Sequence, residues 1–186
     1  MAEQRTVREG RIPVPGGRVW YRIVNPGAAG IPLLALHGGP GATHDYLEPL
    51  ETLADGRPVV LYDQLGGGNS DRPEDRSLWT LERFVEELAT VRRSLGLARV
   101  CLIGQSWGAM LAVDYLLSRK PEGVACLILS GPCLSTSRWA ADQRRYLSLL
   151  PEQTQAEIAA CEDAEDFSSP RRSEEHTSEL QSRQSI

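Results

Sequence analysis

Residues 99–110 read "RVCLIGQSWGAM", and this stretch, which joins a strand to a helix, decides the fold. The run before Gly104 is continuously apolar, as in strands that a sheet buries on both faces. Residues 106–120 then carry apolar side chains at helical spacing. Gly104 and Gly108 frame Ser106, so the sequence shows the G-x-S-x-G pattern in the strand-to-helix context that gives the pattern its meaning.

The predicted turn makes Ser106 a candidate nucleophile. A sharp strand-to-helix turn brings neighbouring backbone close together, so side chains at positions 104 and 108 would clash. The same turn holds the serine in a strained conformation with an exposed hydroxyl. The N-terminus of the following helix also favours a developing negative charge. The alternative is an ordinary helix-capping serine in a glycine-rich turn.

A second glycine-rich segment, "HGGPG" at residues 37–41, directly follows another apolar run. Acyl transfer passes through a tetrahedral oxyanion, which a pair of backbone N–H groups can stabilise. We predict that Trp107, the residue after the serine, donates one N–H and that Gly39 donates the other, with Gly38 as the alternative to Gly39. The other interpretation of this segment is a tight turn.

A third segment, "YDQLGGGNSDRP" at residues 62–73, again follows an apolar run. It lacks the GK[ST] and GxGxxG patterns of phosphate-binding loops. Asp63 precedes Ser106 in the chain, whereas the acid of this kind of catalytic triad follows the serine. We therefore expect Asp63 to order the loop by accepting hydrogen bonds from backbone amides.

The pattern along the whole chain predicts an α/β fold. An antiparallel pair of strands is predicted at "TVREGRIPV" and "RVWYRIV", followed by four buried strands in "IPLLALHGG", "PVVLYDQ", "RVCLIG" and "VACLILSG". Helical spacing falls between them in "HDYLEPLETLAD", "TLERFVEELATVRRSLG" and "SWGAMLAVDYLLSRK". Strands that alternate with helices indicate a mostly parallel sheet. After Gly131 the sequence becomes polar and helical, which predicts a helical insertion or cap.

Three segments together resemble the proline iminopeptidase family of α/β-hydrolases: "LHGGPGATHDYLEPL", "LYDQLGGGNSDRP" and "LIGQSWGAMLAVDYL". The resemblance covers residues 5–170 and implies hydrolysis of an amide next to a free N-terminal amino acid, often proline. It implies a Ser-Asp-His triad without metal or organic cofactor, with Ser106 as nucleophile and Gly39 and Trp107 as the oxyanion hole. The family holds the substrate's free amine with carboxylates, mostly from the cap, but no glutamate of the cap-like region can be matched to them.

The base of the triad should follow the serine in the chain. His37 and His44 precede Ser106, and the only later histidine is His176. It lies in "RSEEHTSELQSR", residues 172–183, which resembles the translation of a short-read sequencing-library adapter and is set aside from fold reasoning. We expect residues 1–133 to form the N-terminal part of a C-terminally truncated α/β-hydrolase core, residues 134–171 a partial cap and residues 172–186 a non-native tail.

Composition excludes several classes of function. The formal net charge is −5 and no basic cluster occurs, which argues against a nucleic-acid partner. No stretch has the length and apolarity of a signal peptide or a membrane span, so a cytoplasmic protein without membrane association is expected. The four cysteines show no metal-ligand spacing and are interpreted as small buried apolar residues rather than as a disulfide or metal site.

Three functions remain open from the sequence. The first is a serine aminopeptidase that acts on small peptides or amino-acid amides, with this chain an inactive fragment that lacks the triad Asp and His. The second is an esterase or amino-acid amidase on the same fold. The third is a non-catalytic α/β-hydrolase-like protein. Nothing in the sequence indicates the oligomeric state.

Overall fold

The computed structural model describes residues 5–164, which fall into two compact units that divide between Leu134 and Ser135. The first unit contains a six-stranded sheet in the order β1-β2-β4-β3-β5-β6. Its strands are β1 (Val7–Val14), β2 (Gly17–Val24), β3 (Leu33–Leu36), β4 (Val59–Tyr62), β5 (Val100–Gln105) and β6 (Val124–Ser130). The antiparallel hairpin β1-β2 pairs antiparallel with β4, and the strands from β4 to β6 are parallel, so the predicted fold class is confirmed.

Two α-helices connect the parallel strands, α1 (Leu81–Ser94) and α2 (Trp107–Arg119). The side chain of Thr80 caps the start of α1 by accepting a hydrogen bond from the N–H of Arg83. The helix predicted in "HDYLEPLETLAD" differs from expectation, because Asp45–Asp55 forms a 3-10 helix that contains Pro49. Proline lacks an N–H and cannot complete the α-helical hydrogen-bond pattern at that position. A second, short 3-10 helix spans Arg76–Leu78.

The central strands are buried on both faces. Alternate residues of β3 and β4 enter two different apolar clusters: Leu34 and Tyr62 belong to a large cluster with residues of α1 and α2. Ala35 and Leu61 belong to a smaller cluster that packs against side chains of the first 3-10 helix. Burial on both sides explains why these strands read as unbroken apolar runs in the sequence.

The strand β6 lies at one edge of the sheet and pairs, within the described residues, only with β5. Its side chain Ile128 is 47% exposed. An apolar edge of this kind is a ready template for pairing with a further strand. Among residues 5–164, no helix has the length and apolarity needed to cross a membrane.

The interpretation of all four cysteines as unbridged apolar residues is wrong for one pair. Cys101 and Cys126 form a disulfide. They are direct partners in the register of β5 and β6, and their Cα atoms are 4.6 Å apart. The register of neighbouring parallel strands brings the two thiols together, and that register cannot be read from either strand alone. Cys133 and Cys161 are free and partly buried.

The second unit begins at Ser135 and contains two helices within the described residues, α3 (Thr136–Leu147) and α4 (Glu152–Asp163). The hydroxyl of Ser135 caps α3 by accepting the N–H of Arg138 at 3.3 Å. The polar, helical character expected after Gly131 is therefore confirmed. That these helices form part of a cap stays a prediction, and His176 with its surrounding segment lies outside the described residues.

Candidate active site

Ser106 lies at the sharp turn between β5 and α2. Its backbone has φ 51° and ψ −115°, a conformation that only a few per cent of non-glycine residues adopt and that costs about 1–3 kcal/mol. The N–H of Ser106 donates to the carbonyl of Ser130 at 2.8 Å, which ties the turn to the end of β6. The strained serine expected from the sequence is thus present.

Positions 104 and 108, on either side of the serine, have no room for a side chain. A Cβ atom on Gly104 would overlap the backbone of Gly108 and Ala109. A Cβ atom on Gly108 would overlap the backbone carbonyl of Leu36 at the end of β3. The helix α2 can therefore start directly against the sheet only if both positions lack a side chain, as the sequence pattern predicts.

The "HGGPG" loop lies against the serine. A Cβ atom built on Gly38 would be 2.5 Å from the side-chain oxygen of Gln105 and 3.3 Å from the Cβ of Ser106. The N–H of Gly38 donates to the hydroxyl of Tyr46 at 2.6 Å, and that hydroxyl donates to the side-chain oxygen of Gln105 at 2.9 Å. Tyr46 therefore links the loop after β3 to the turn after β5.

The hydrogen bonds of this loop distinguish the two candidate donors. Because the N–H of Gly38 is already bonded to Tyr46, it is not free for a substrate oxyanion. The N–H groups of Gly39 and Trp107, in contrast, take part in none of the hydrogen bonds formed within residues 5–164. Two unused N–H groups on the loops that flank the serine are what an oxyanion hole needs, so Gly39 and Trp107 stay the predicted pair.

Gln64 fixes the side chain of Trp107. It is fully buried at the end of β4, where its side-chain oxygen accepts the indole N–H of Trp107 at 2.9 Å. Its side-chain N–H donates to the backbone oxygen of His37 at 2.9 Å. One amide thereby connects Trp107, which follows the predicted nucleophile, with His37, the first residue of the "HGGPG" loop.

Asp63 orders the loops, as expected from the sequence. The carboxylate is fully buried and accepts the backbone N–H groups of His44 and Asn69, each at 2.8 Å. It also accepts the Nδ1–H of the His44 ring at 2.9 Å. Asp63 thus joins the loop after β3 to the glycine-rich loop after β4, which confirms the loop-ordering role.

Neither histidine of the described residues is placed to serve as the base for Ser106. The ring of His37 is fully buried, where its Nε2 accepts the backbone N–H of Gln64 at 2.9 Å and its Nδ1 donates to the carbonyl of Gly38 at 2.9 Å. Burial lowers the pKa of His37 below its ordinary value, which favours the neutral form of the ring. His44 is bonded to Asp63 and its ring lies 4.3 Å from that of Trp20, centroid to centroid.

A buried ion pair between Arg83 and Glu87 contacts the loop after β4. Glu87 of α1 is fully buried, pairs with Arg83 one turn earlier, and accepts the backbone N–H of Leu65 at 3.3 Å. Burial raises the pKa of Glu87 above its ordinary value, and the charge of Arg83 opposes that rise. The guanidinium of Arg83 also lies 3.9 Å from the ring centroid of Phe84.

One group of residues has the composition of a metal site. Ligand atoms of His44, Asp45 and Glu48 lie within 4.8 Å of one another. Both carboxylates are exposed, and the ring of His44 is already held by Asp63. Since exposed acidic groups of this kind are common without an ion, the group does not bear on the chemistry at Ser106.

Sequence reasoning missed Gln64, Tyr46 and the pair formed by Arg83 and Glu87. The spacing of Arg83 and Glu87, four residues apart on a predicted helix, is a signal that could have found the pair. No comparable local signal marks Tyr46, since its partners are 8 and 59 residues away in the chain.

The fold and the serine turn are those of an α/β-hydrolase, and the family comparison confirms this class of protein. The family model described as "alpha/beta hydrolase fold" matches residues 31–181, and the chain belongs to this family. Among curated proteins, the chain is 49% identical to the proline iminopeptidase of Heyndrickxia coagulans over 164 residues, which are 86% of this chain and 57% of that protein. It is 45% identical to the proline iminopeptidase of Lactobacillus acidophilus, covering 87% of this chain and 56% of that protein. The chain therefore spans a little more than half the length of these relatives.

Solved structures give the same result. The structure of VinJ superimposes with a TM-score of 0.84 at 34% identity, over 91% of this chain and 58% of that one. The structure of the proline iminopeptidase from Mycobacterium smegmatis superimposes with a TM-score of 0.80 at 32% identity, over 90% of this chain and 58% of that one. The likeness to proline iminopeptidases expected from the three quoted segments is thus confirmed.

Proposed function

We propose that this chain is the nucleophile-bearing part of a serine aminopeptidase that releases N-terminal amino acids, preferentially proline, from peptides or amino-acid amides. The observation that carries the proposal is the strained turn at Ser106 with the unused N–H groups of Gly39 and Trp107 beside it. The relatives at 42–49% identity, all of them proline iminopeptidases by name, support the choice of substrate class.

In the proposed reaction, the hydroxyl of Ser106 attacks the carbonyl carbon of the first peptide bond while a general base takes its proton. The N–H groups of Gly39 and Trp107 donate to the resulting oxyanion. Collapse of this intermediate breaks the C–N bond, and the base returns its proton to the leaving amine. Water then attacks the ester on Ser106 by the same route and releases the free amino acid.

The proposal includes a general base that residues 5–164 do not provide. Both described histidines are engaged elsewhere, His37 with Gln64 and His44 with Asp63. Without a base the hydroxyl stays protonated at neutral pH, and removal of a triad member typically leaves only a small part of the rate enhancement. We therefore expect the 186-residue chain itself to have little or no peptidase activity.

The activity test uses L-prolyl p-nitroanilide with the 186-residue chain and its Ser106→Ala variant. Equal, background release of p-nitroaniline from both is the expected result. Release that the Ser106→Ala variant abolishes would show that the chain holds a working base and would overturn the proposed inactivity.

The substrate class is tested on the product of the gene as it stands in independently sequenced genomic DNA. If that reading frame continues past codon 171 and encodes an Asp and a His, the longer protein is assayed with prolyl p-nitroanilide, its N-acetyl form and p-nitrophenyl acetate. An aminopeptidase hydrolyses the first and not the second, because it needs the free amine. Comparable rates on the acetylated substrate and the ester would favour an esterase, the alternative supported by the likeness to the esterase RhEst1 at 30% identity and a TM-score of 0.57.

A genuine stop codon after residue 186, together with no activity, would favour the non-catalytic protein of the same fold. A cytoplasmic location also stays a prediction.

A further inference from the structure

A cavity of about 460 Å³ opens beside the turn that carries Ser106. Its wall includes Trp107, the residue directly after the serine, and Pro40 and Gly41 of the oxyanion loop. The volume falls within the range of about 300–1,000 Å³ that is usual for small-molecule sites. Ser106 itself does not line the cavity, but a group bound there would contact Trp107, the residue that follows it in the chain.

The cavity wall is apolar and aromatic. Trp79 and Phe84 stack with their centroids 6.4 Å apart, and Phe84 meets Trp107 edge to face at 5.4 Å. Trp79 and Leu81 form the rim, and each is 42% exposed. Large apolar side chains left this exposed around a concave surface are more typical of a binding site than of ordinary surface.

Buried interactions hold this wall in place before any ligand arrives. The indole of Trp107 is bonded to Gln64, and the guanidinium of Arg83 packs on Phe84 while paired with Glu87. The partners Gln64, Arg83 and Glu87 are all nearly or fully buried. A wall that is already ordered loses little conformational entropy when a ligand binds.

The charge of the cavity restricts which part of a substrate it suits. None of the residues that line it is charged. An ammonium group buried there would find no carboxylate among the described residues that line the cavity, and burial of an unpaired charge is strongly unfavourable. The N-terminal residue of an aminopeptidase substrate carries an ammonium on the same carbon as its side chain, whereas the next residue is joined to it through a neutral amide.

We propose that this cavity binds the apolar side chain of the residue on the leaving-group side of the scissile bond. The inference rests on the proposed function, because it takes the substrate to be a peptide with a free N-terminus. It adds a preference for large apolar residues in the second position of the peptide, with Trp79, Leu81 and Phe84 as the residues that determine it.

The test measures binding and needs no hydrolysis, so its outcome is independent of whether the chain has peptidase activity. The 186-residue chain is labelled with 5-fluorotryptophan, which places one fluorine at each of its four tryptophans. Trp79 and Trp107 line the cavity, whereas Trp20, which belongs to the same unit, does not and serves as the internal control. N-acetyl-L-leucinamide is the probe for a neutral residue with an apolar side chain, and L-leucinamide carries the same side chain beside an ammonium.

Titration with N-acetyl-L-leucinamide is expected to shift the fluorine resonances of Trp79 and Trp107 and to leave that of Trp20 in place. L-leucinamide should bind at least about tenfold more weakly because of its buried ammonium. N-acetyl-L-alaninamide should also bind about tenfold or more weakly, because it lacks three apolar carbons. Equal or tighter binding of L-leucinamide would assign the cavity to the N-terminal residue instead and overturn the proposal.

Two variants on the exposed rim test the site itself. Trp79→Ala and Leu81→Gln should each weaken the binding of N-acetyl-L-leucinamide at least about fivefold, since each removes apolar contact area. Leu117→Gln, at an exposed position of α2 that does not line the cavity, is the matched control and should leave the affinity unchanged. The ring of Trp20 packs on His44, so the Trp20 resonance reports whether each variant is folded. No shift at Trp79 and Trp107, or unchanged affinity in both rim variants, would contradict the proposed site.

Discussion

The side-chain amide of Gln64 accepts the indole N–H of Trp107 at 2.9 Å and donates to the backbone oxygen of His37 at the same distance. Trp107, which follows the predicted nucleophile, and His37, which begins the "HGGPG" loop, are thus held by one buried side chain. The relative position of the two predicted oxyanion donors depends on this amide, although Gln64 itself takes no part in the proposed chemistry.

Gln64→Leu should destabilise the fold. The substitution keeps the volume but leaves the buried carbonyl of His37 and the partly buried indole N–H of Trp107 without these partners, and loss of a partner by a buried polar group costs about 1–3 kcal/mol. Urea unfolding followed by fluorescence measures the loss, and Gln153→Leu at an exposed position of α4 is the control. A loss for Gln64→Leu no larger than that for the control would show that the amide is not needed.

Gly108→Ala should lower stability by about 1–3 kcal/mol or prevent folding, because the added methyl group overlaps the backbone at the end of β3 and neither segment can move freely. Gly27→Ala is the matched control, since a Cβ atom there meets nothing within 4 Å. Thermal unfolding of the two variants compares them directly. Equal melting temperatures would contradict the close approach of α2 to the sheet.

His37 should remain neutral at pH values where an ordinary histidine is protonated. Burial lowers its pKa, and its Nε2 is occupied as an acceptor by the N–H of Gln64. Long-range proton–nitrogen spectra between pH 5 and 8 should show an Nδ1–H tautomer that does not titrate near pH 6.5, while the same ring in urea does. Titration of the folded ring near pH 6.5 would be the contrary result.

The lowered pKa of His37 also determines the direction in which the free energy of unfolding changes with pH. As the pH falls below about 6.5, the unfolded chain takes up a proton at His37 before the folded chain does, so the unfolded state is favoured. This single site should lower the free energy of unfolding by up to about 1.4 kcal/mol per pH unit until the lowered pKa is reached. Relative to the wild type, His37→Gln should show a smaller loss of stability over that interval, measured by urea unfolding at several pH values.

Arg83→Met should cost about 3–5 kcal/mol, because it leaves the buried carboxylate of Glu87 without its partner. The double variant Arg83→Met with Glu87→Leu should recover much of that loss, since it removes both charges. Glu86→Gln is the control, because Glu86 pairs with Arg93 at an exposed position, where such pairs contribute at most about 1 kcal/mol. A double variant as unstable as Arg83→Met alone would count against the unpaired charge as the cause.

The sequence predicted those parts of the molecule that depend on local pattern. Continuous apolar runs marked the buried strands, and the spacing of Gly104, Ser106 and Gly108 predicted the turn, because tight backbone contact leaves only glycine as an option there. Contacts between distant segments escaped prediction. The disulfide between Cys101 and Cys126 depends on strand register, and the side-chain links of Gln64 and Tyr46 depend on loops that meet only in the folded chain.

The apolar cavity is a further feature that could not be predicted from the sequence, because it depends on contacts between distant segments. Its wall combines the loop after β3, the loop after β4, the start of α1 and the start of α2. Each contributing segment has a structural explanation of its own in the sequence: Phe84 belongs to an amphipathic helix, and Gly66 to a glycine-rich turn. Only the folded arrangement shows that these side chains surround one space.

The hydroxyl of Tyr46 bonds both the N–H of Gly38 and the side chain of Gln105, so one phenol spans the gap between the oxyanion loop and the serine turn. These contacts, like those of Gln64, come entirely from residues 37–107. The two segments that carry the predicted oxyanion donors are therefore linked by the side chains of Tyr46 and Gln64, so a substitution at either residue can displace an N–H group without changing Ser106.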